Sequence, residues 1–137
     1  HLVNTARSFI FSTAFSPATV AAALAALKVL RKEPSLVADL RRKSDLLRAA
    51  LREGGFTVDE SPTPIIPLVV GRAETATQFS AKLLENGILA SAIRPPTVPE
   101  GTSRLRLSLS AAHRESELLQ AAEVIITIGR QLGLTGR

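Results

Sequence analysis

Cysteine, methionine, tryptophan and tyrosine are all missing from this chain of 137 residues, and its aromatic content is five phenylalanines. The lack of cysteine excludes a disulfide framework, a thiolate metal site and a cysteine nucleophile within the segment, and it is the composition expected of a reducing cytoplasm. With no Trp or Tyr there is no aromatic platform for stacking bases or sugars. Histidine is nearly missing as well: His1 stands at the chain end and His113 is alone, so no two-histidine metal site is expected. GxGxxG, P-loop and HExxH motifs do not occur. The longest apolar stretch, Thr19 to Leu30, is too short to span a bilayer, and no charged leader precedes a cleavage-like site, which predicts a soluble, cytoplasmic protein.

What is present is aliphatic and basic. A hydrophobic content of 45% is enough to bury the core of one compact domain. The net charge of +5 would permit polyanion binding. However, Arg31, Arg41, Arg42, Arg48, Arg52, Arg72, Arg94, Arg104 and Arg106 are scattered rather than gathered in one run, which speaks against nucleic acid. A solvated surface or acidic small substrates account for them better.

Local signals divide the chain into elements. Phe9 to Phe11 is a short apolar run, a strand or an extended connector. Ser16 followed by Pro17 starts a helix, since the serine oxygen accepts an orphan amide and proline's fixed φ suits the first helical position. Pro34 stops that helix after Lys32. Ser35 caps a second helix, with Leu36, Leu40, Leu47 and Leu51 on one stripe and Gly54-Gly55 at its end. Ile65 to Val70 is a continuous apolar run and reads as a strand buried on both faces. Thr75 and Gln78 have capping-box spacing before a helix that Asn86-Gly87 ends. Ile88 to Ile93 is a brief extended piece. Arg104 to Ser110 alternates as a half-buried strand, and a last helix runs from about Glu115 to Gly133. The order predicts an α+β domain with helices packed on one face of a small sheet.

Three places can carry chemistry. The loop Arg94 to Thr102 holds three prolines, and such stiffness suits substrate positioning, although composition alone favours a plain rigid turn. Arg106 lies on the polar face of its strand, where a planar guanidinium can grip a carboxylate in a bidentate fork or simply face solvent. Ser12 and Thr13 precede a capped helix, where hydroxyls and free amides can cradle a phosphate or only close a turn. His113, just before a helix, is as readily a capping residue as a base.

Two of these segments carry a resemblance. ARSFIFSTAFSPA, Ala6 to Ala18, resembles the segment that follows the cofactor-lysine loop of the α-oxoamine synthases. AIRPPTVPEGTSRLRLSLSAAH, Ala92 to His113, is similar to their carboxy-terminal signature. The likeness covers nearly the whole chain. It implies the carboxy-terminal small domain of a fold-type I pyridoxal-phosphate-dependent transferase, preceded by the end of the large domain. Residues 1–33 would form the latter with a long connecting helix, and residues 34–137 the former. The RPPTVP form points to the member that condenses L-alanine with a pimeloyl thioester, on coenzyme A or a carrier protein, in biotin biosynthesis. It points away from glycine C-acetyltransferase and 5-aminolevulinate synthase.

Residue by residue, the resemblance makes Arg106 the holder of the substrate carboxylate and places Thr97 near substrate or product. It makes Thr13, with Ser12, the pair that reaches the phosphate of pyridoxal 5'-phosphate in the partner subunit of a homodimer. The family's Schiff-base lysine would lie upstream of Ala6. Lys28, Lys32, Lys43 and Lys82 sit in predicted helices without its loop context, so no catalytic residue is assigned here and the segment alone is expected to be inactive. A non-catalytic binding module and a basic nucleic-acid-binding domain are the competing readings; no membrane or nucleic-acid partner is expected.

Overall fold

The computed structural model describes residues 1–7 and 15–136. The apolar run at Phe9 to Phe11 and the Ser12-Thr13 pair therefore lie outside the described residues. The chain divides into two compact units, His1–Pro34 and Ser35–Arg137. The first contains a short helix α1 (Leu2–Thr5) and the longer α2 (Pro17–Lys32). At the start of α2 the Thr19 amide donates to Ser16 Oγ at 3.3 Å and Pro17 occupies the first helical position. Arg31 and Lys32 fall in the last turn, where cations complement the helix dipole.

The second unit runs α3 (Ser35–Glu53), β1 (Ile65–Gly71), α4 (Ala73–Glu85), β2 (Ser91–Ile93), β3 (Ser103–Ser108) and α5 (Glu115–Gln131). Its three strands form an antiparallel sheet in the order β1-β3-β2. One sheet face supplies Ile66, Leu68, Leu105 and Leu107, all buried, and Leu47, Leu51, Phe79, Leu83, Leu118 and Ile125 of the three helices complete the core. Each such side chain contributes roughly 1.5 to 3 kcal/mol of transfer free energy. This is the predicted α+β arrangement.

All three helices of this unit end alike. Phe56, Ile88 and Leu134 amides reach back to the carbonyls of Leu51, Leu83 and Gly129 at 2.9 to 3.0 Å, the bonding of a Schellman motif. That geometry needs a left-handed residue just past the helix, which Gly55 (φ 93) and Gly87 (φ 78) provide.

Several expectations are corrected. β1 is not buried on both faces: Ile65 and Val69 are 46% and 58% exposed, because the helices of this unit cover one face of the sheet and burial alternates along the strand. The strand within Ile88 to Ile93 covers only Ser91–Ile93, and β3 starts at Ser103 and ends at Ser108. The Thr75/Gln78 box is not used. Helix α4 begins three residues earlier, with Arg72 at its N-cap and no side-chain cap. Ser35 is the first helical residue rather than the cap.

Arg48 also departs from the surface reading: it is 2% exposed. Its Nη2 donates to the carbonyls of Thr63 at 2.8 Å and Ile65 at 3.1 Å, fixing the entry to β1. The signal was its place on α3, since Ser44, Leu47, Arg48 and Leu51 share one helical stripe and all four are buried. Lys43, likewise buried, donates to Ala111 O at 2.7 Å and so ties down the turn after β3.

Lys43 and Arg42 both contact Asp39 at 2.6 Å. Hydrogen bonds from Lys43 first and Arg42 second hold the Asp39 carboxyl below its ordinary value of 3.8. An unfolded chain therefore binds the proton first, so this contribution to stability is complete above 3.8 and disappears as pH falls through the lower folded value. Urea midpoints of the chain and of Asp39→Asn, followed from about pH 6 down to about pH 2.5, are expected to converge at the acid end. A gap that stays constant throughout would contradict the assignment.

Candidate functional site

The sheet turns one face to its helices and the other to solvent. On the solvent side β3, the central strand, places Arg104, Arg106 and Ser108, because alternation puts Leu105 and Leu107 inward. Arg106 pairs across the sheet with Pro67 of β1 and Ser91 of β2. It is exposed and, among the described residues, takes part in no ion pair or side-chain hydrogen bond, whereas Arg104 Nε is engaged by Thr102 O at 3.0 Å. None of the three strands carries an Asp or Glu. The face is therefore cationic, with no carboxylate of its own to neutralise the guanidinium groups. Such a surface accepts an anion in a fork of parallel N–H donors.

The loop between β2 and β3 is pinned by its own backbone. The Thr97 amide donates to Arg94 O at 3.1 Å, with a cis Pro95-Pro96 bond inside the turn, and Thr102 donates through both its amide and its hydroxyl to Pro99 O at 3.2 and 2.7 Å. Thr97 is exposed, and no hydrogen bond joins it to Arg106 among the described residues. His113 Nδ1 accepts from the Ser110 amide at 3.1 Å, so its ring closes the turn that leads into α5. The same turn is clamped by Lys43 from behind. Glu117 accepts from the Arg114 amide at 2.9 Å and thereby caps α5.

Arg106 and Thr97 were read from the sequence. Ser91 was not, because a lone serine in a short extended piece carries no sequence signal; only the register sets it beside Arg106. Among the described residues no group of three or more His, Cys, Asp or Glu could hold a metal ion, and no helix is long and apolar enough to cross a membrane.

Known proteins resemble this chain in sequence and in fold. The chain is 46% identical over 136 residues to a protein named 8-amino-7-oxononanoate synthase from Trichlorobacter lovleyi, covering 98% of this chain and 35% of that protein. A Geobacter sulfurreducens protein of the same name is 48% identical over 135 residues, covering 97% and 34%. The chain thus spans about a third of the length of these relatives. Among solved structures, a Sphingomonas wittichii serine palmitoyltransferase superposes with a TM-score of 0.87 at 28% identity, over 98% of this chain and 34% of the other. The 8-amino-7-oxononanoate synthase of Francisella tularensis does so with 0.77 at 28%, over 95% and 38%. A structure titled as SPT with its PLP internal aldimine matches with 0.85 at 26%, over 93% and 33%. The fold is that of the carboxy-terminal small domain of fold-type I pyridoxal-phosphate transferases. The model of the family described as aminotransferase class I and II matches residues 1–125, and this chain belongs to that family.

Proposed function

We propose that this chain is the carboxy-terminal part of an 8-amino-7-oxononanoate synthase, which joins L-alanine to a pimeloyl thioester. In that reaction a carbon–carbon bond forms between the alanine α-carbon and the thioester carbonyl. The carbon–sulfur bond breaks, and the alanine carboxyl leaves as carbon dioxide. The observation that carries the reading is identity of 46% and 48% along 98% and 97% of the chain with proteins of that name. Backbone shape alone does not choose, since serine palmitoyltransferases superpose as well.

Within this scheme Arg106 binds the amino-acid carboxylate and orients the α-carbon toward the acyl group, a positioning that raises the rate by removing rotational freedom before reaction. Thr97, carried on the loop between β2 and β3, would lie near the substrate or product. Pyridoxal 5'-phosphate, when bound, supplies the electron sink for the carbanion at the α-carbon. A cationic sheet face free of carboxylates suits that anionic cofactor and an amino-acid carboxylate together. Ser12 and Thr13 would reach the phosphate held in the neighbouring subunit, which makes the complete protein a homodimer. By the resemblance its Schiff-base lysine would come from outside residues 1–137, a reading supported by Lys43 being buried and paired with Asp39 and by Lys28, Lys32 and Lys82 lying on helices without the family's lysine-loop context. Residues 1–33 would close the large domain and 34–137 form the small one. The exposed Ile65 and Val69 beside Arg106 are apolar surface that the remainder of the enzyme would cover.

The test is a substrate panel on the complete protein. L-Alanine with pimeloyl thioester is expected to turn over, with glycine and L-serine at least about tenfold slower because a pocket discriminates a methyl group by one to two orders of magnitude. Preference for glycine with a short acyl thioester would overturn the reading in favour of another member of the group.

A further inference from the structure

We propose that Ser91 is a second donor to the carboxylate that Arg106 grips, and that it sets the orientation of that carboxylate; the inference rests on the reading of Arg106 given above. Ser91 stands directly opposite Arg106 in the β2–β3 pairing. Residues so opposed project from the same sheet face with Cβ atoms about 4.5 to 5.5 Å apart. Both are exposed, and the Ser91 hydroxyl, like the Arg106 guanidinium, has no side-chain partner among the described residues. On the opposite flank Arg106 faces Pro67, which offers neither a hydroxyl nor an amide hydrogen. The surroundings of Arg106 are thus one-sided, with a free donor toward β2 and none toward β1.

A carboxylate has about four lone-pair sites, and a guanidinium fork uses two of them. The fork alone fixes distance and leaves the bound group free to rock out of the guanidinium plane. An Oγ–H from the β2 side takes a third site and removes that freedom. The carbon–carboxylate bond that breaks in the proposed reaction is thereby held at one angle. Ser91 is accordingly a substrate-binding residue, selective for amino acids whose carboxylate reaches the β2 side.

The test uses the complete protein with its cofactor. Ser91→Ala is expected to raise KM for the amino acid roughly five- to tenfold, as loss of one hydrogen bond to a charged group does in a partly wet site, and to lower kcat by about three- to tenfold because the carboxylate is less well oriented, with an unchanged unfolding midpoint. Ser91→Thr keeps the hydroxyl and should restore KM. In the double variant with Arg106→Ala, the Ser91 effect should vanish, because the shared carboxylate is no longer held. Wild-type KM in Ser91→Ala, beside a raised KM in Arg106→Ala, would overturn the role of Ser91 and leave that of Arg106 standing. A raised KM that Ser91→Thr does not reverse would overturn it too. Wild-type KM in Arg106→Ala would overturn both.

Discussion

Replacing Arg106 with Ala in the complete enzyme is expected to lower kcat/KM for the amino acid by roughly thirty- to a thousandfold. That range corresponds to about 2 to 4 kcal/mol for a lost charge-assisted bidentate contact. Arg106→Lys should recover little, since an ammonium is a point charge and cannot present the planar fork. The thioester's KM should change little. Because the Arg106 side chain is exposed on the sheet and makes no ion pair or side-chain hydrogen bond among the described residues, the variant should unfold at the same denaturant concentration as the parent. Wild-type kinetics in Arg106→Ala would return it to the role of a solvent-facing strand residue.

The second large effect concerns the core. Phe79 of α4 is 0% exposed and stacks on Phe56 with ring centroids 6.2 Å apart and planes 11° from parallel. Phe79→Ala is expected to cost about 3 to 5 kcal/mol, the transfer of the ring plus the cavity it leaves. For a chain of this size that is a large fraction of the total stability, so the variant should be partly unfolded without denaturant. Leu89→Ala is the control: Leu89 is 85% exposed, and its loss should stay within about 0.5 kcal/mol. Urea unfolding of the two variants side by side decides the matter, and equal midpoints would contradict the packing described.

Much of this fold was legible because the signals were local. Ser16-Pro17 opens α2 as read, and Gly55, Gly87 and Gly133 end their helices where expected, since each depends on residues within one turn. The alternation in Arg104 to Ser110 identified the inward leucines for the same reason. Misreadings arose where long-range packing decides. The run Ile65 to Val70 looks two-sided because its outward residues are apolar too, and only the packing of helices on one face of the sheet leaves Ile65 and Val69 exposed. Thr75 lost the N-cap to Arg72 because the chain leaves β1 at Gly71 (φ 88), which turns it directly into the helix. Arg48 was grouped with surface charges, although its stripe already placed it among buried residues; its two carbonyl partners lie 15 and 17 residues away in sequence and leave no local trace.

The site was legible in part. Arg106 could be singled out by strand parity and by the motif around it, but its neighbours Ser91 and Pro67 follow only from register. Thr97 is likewise placed by its motif, on a loop whose rigidity comes from backbone bonds that the prolines alone do not specify. Ser12 and Thr13 rest on the motif and lie outside the described residues.

The most direct test of the central claim follows the carboxyl carbon of the amino acid. The complete protein with pyridoxal phosphate would be given L-alanine labelled at that carbon together with a pimeloyl thioester, and both the released gas and the condensed product would be analysed by mass spectrometry. Label should leave as carbon dioxide in one-to-one proportion with unlabelled 8-amino-7-oxononanoate and free thiol, and Arg106→Ala should suppress all three together. Product that retains the label, or amino-group transfer without carbon–carbon bond formation, would contradict the account.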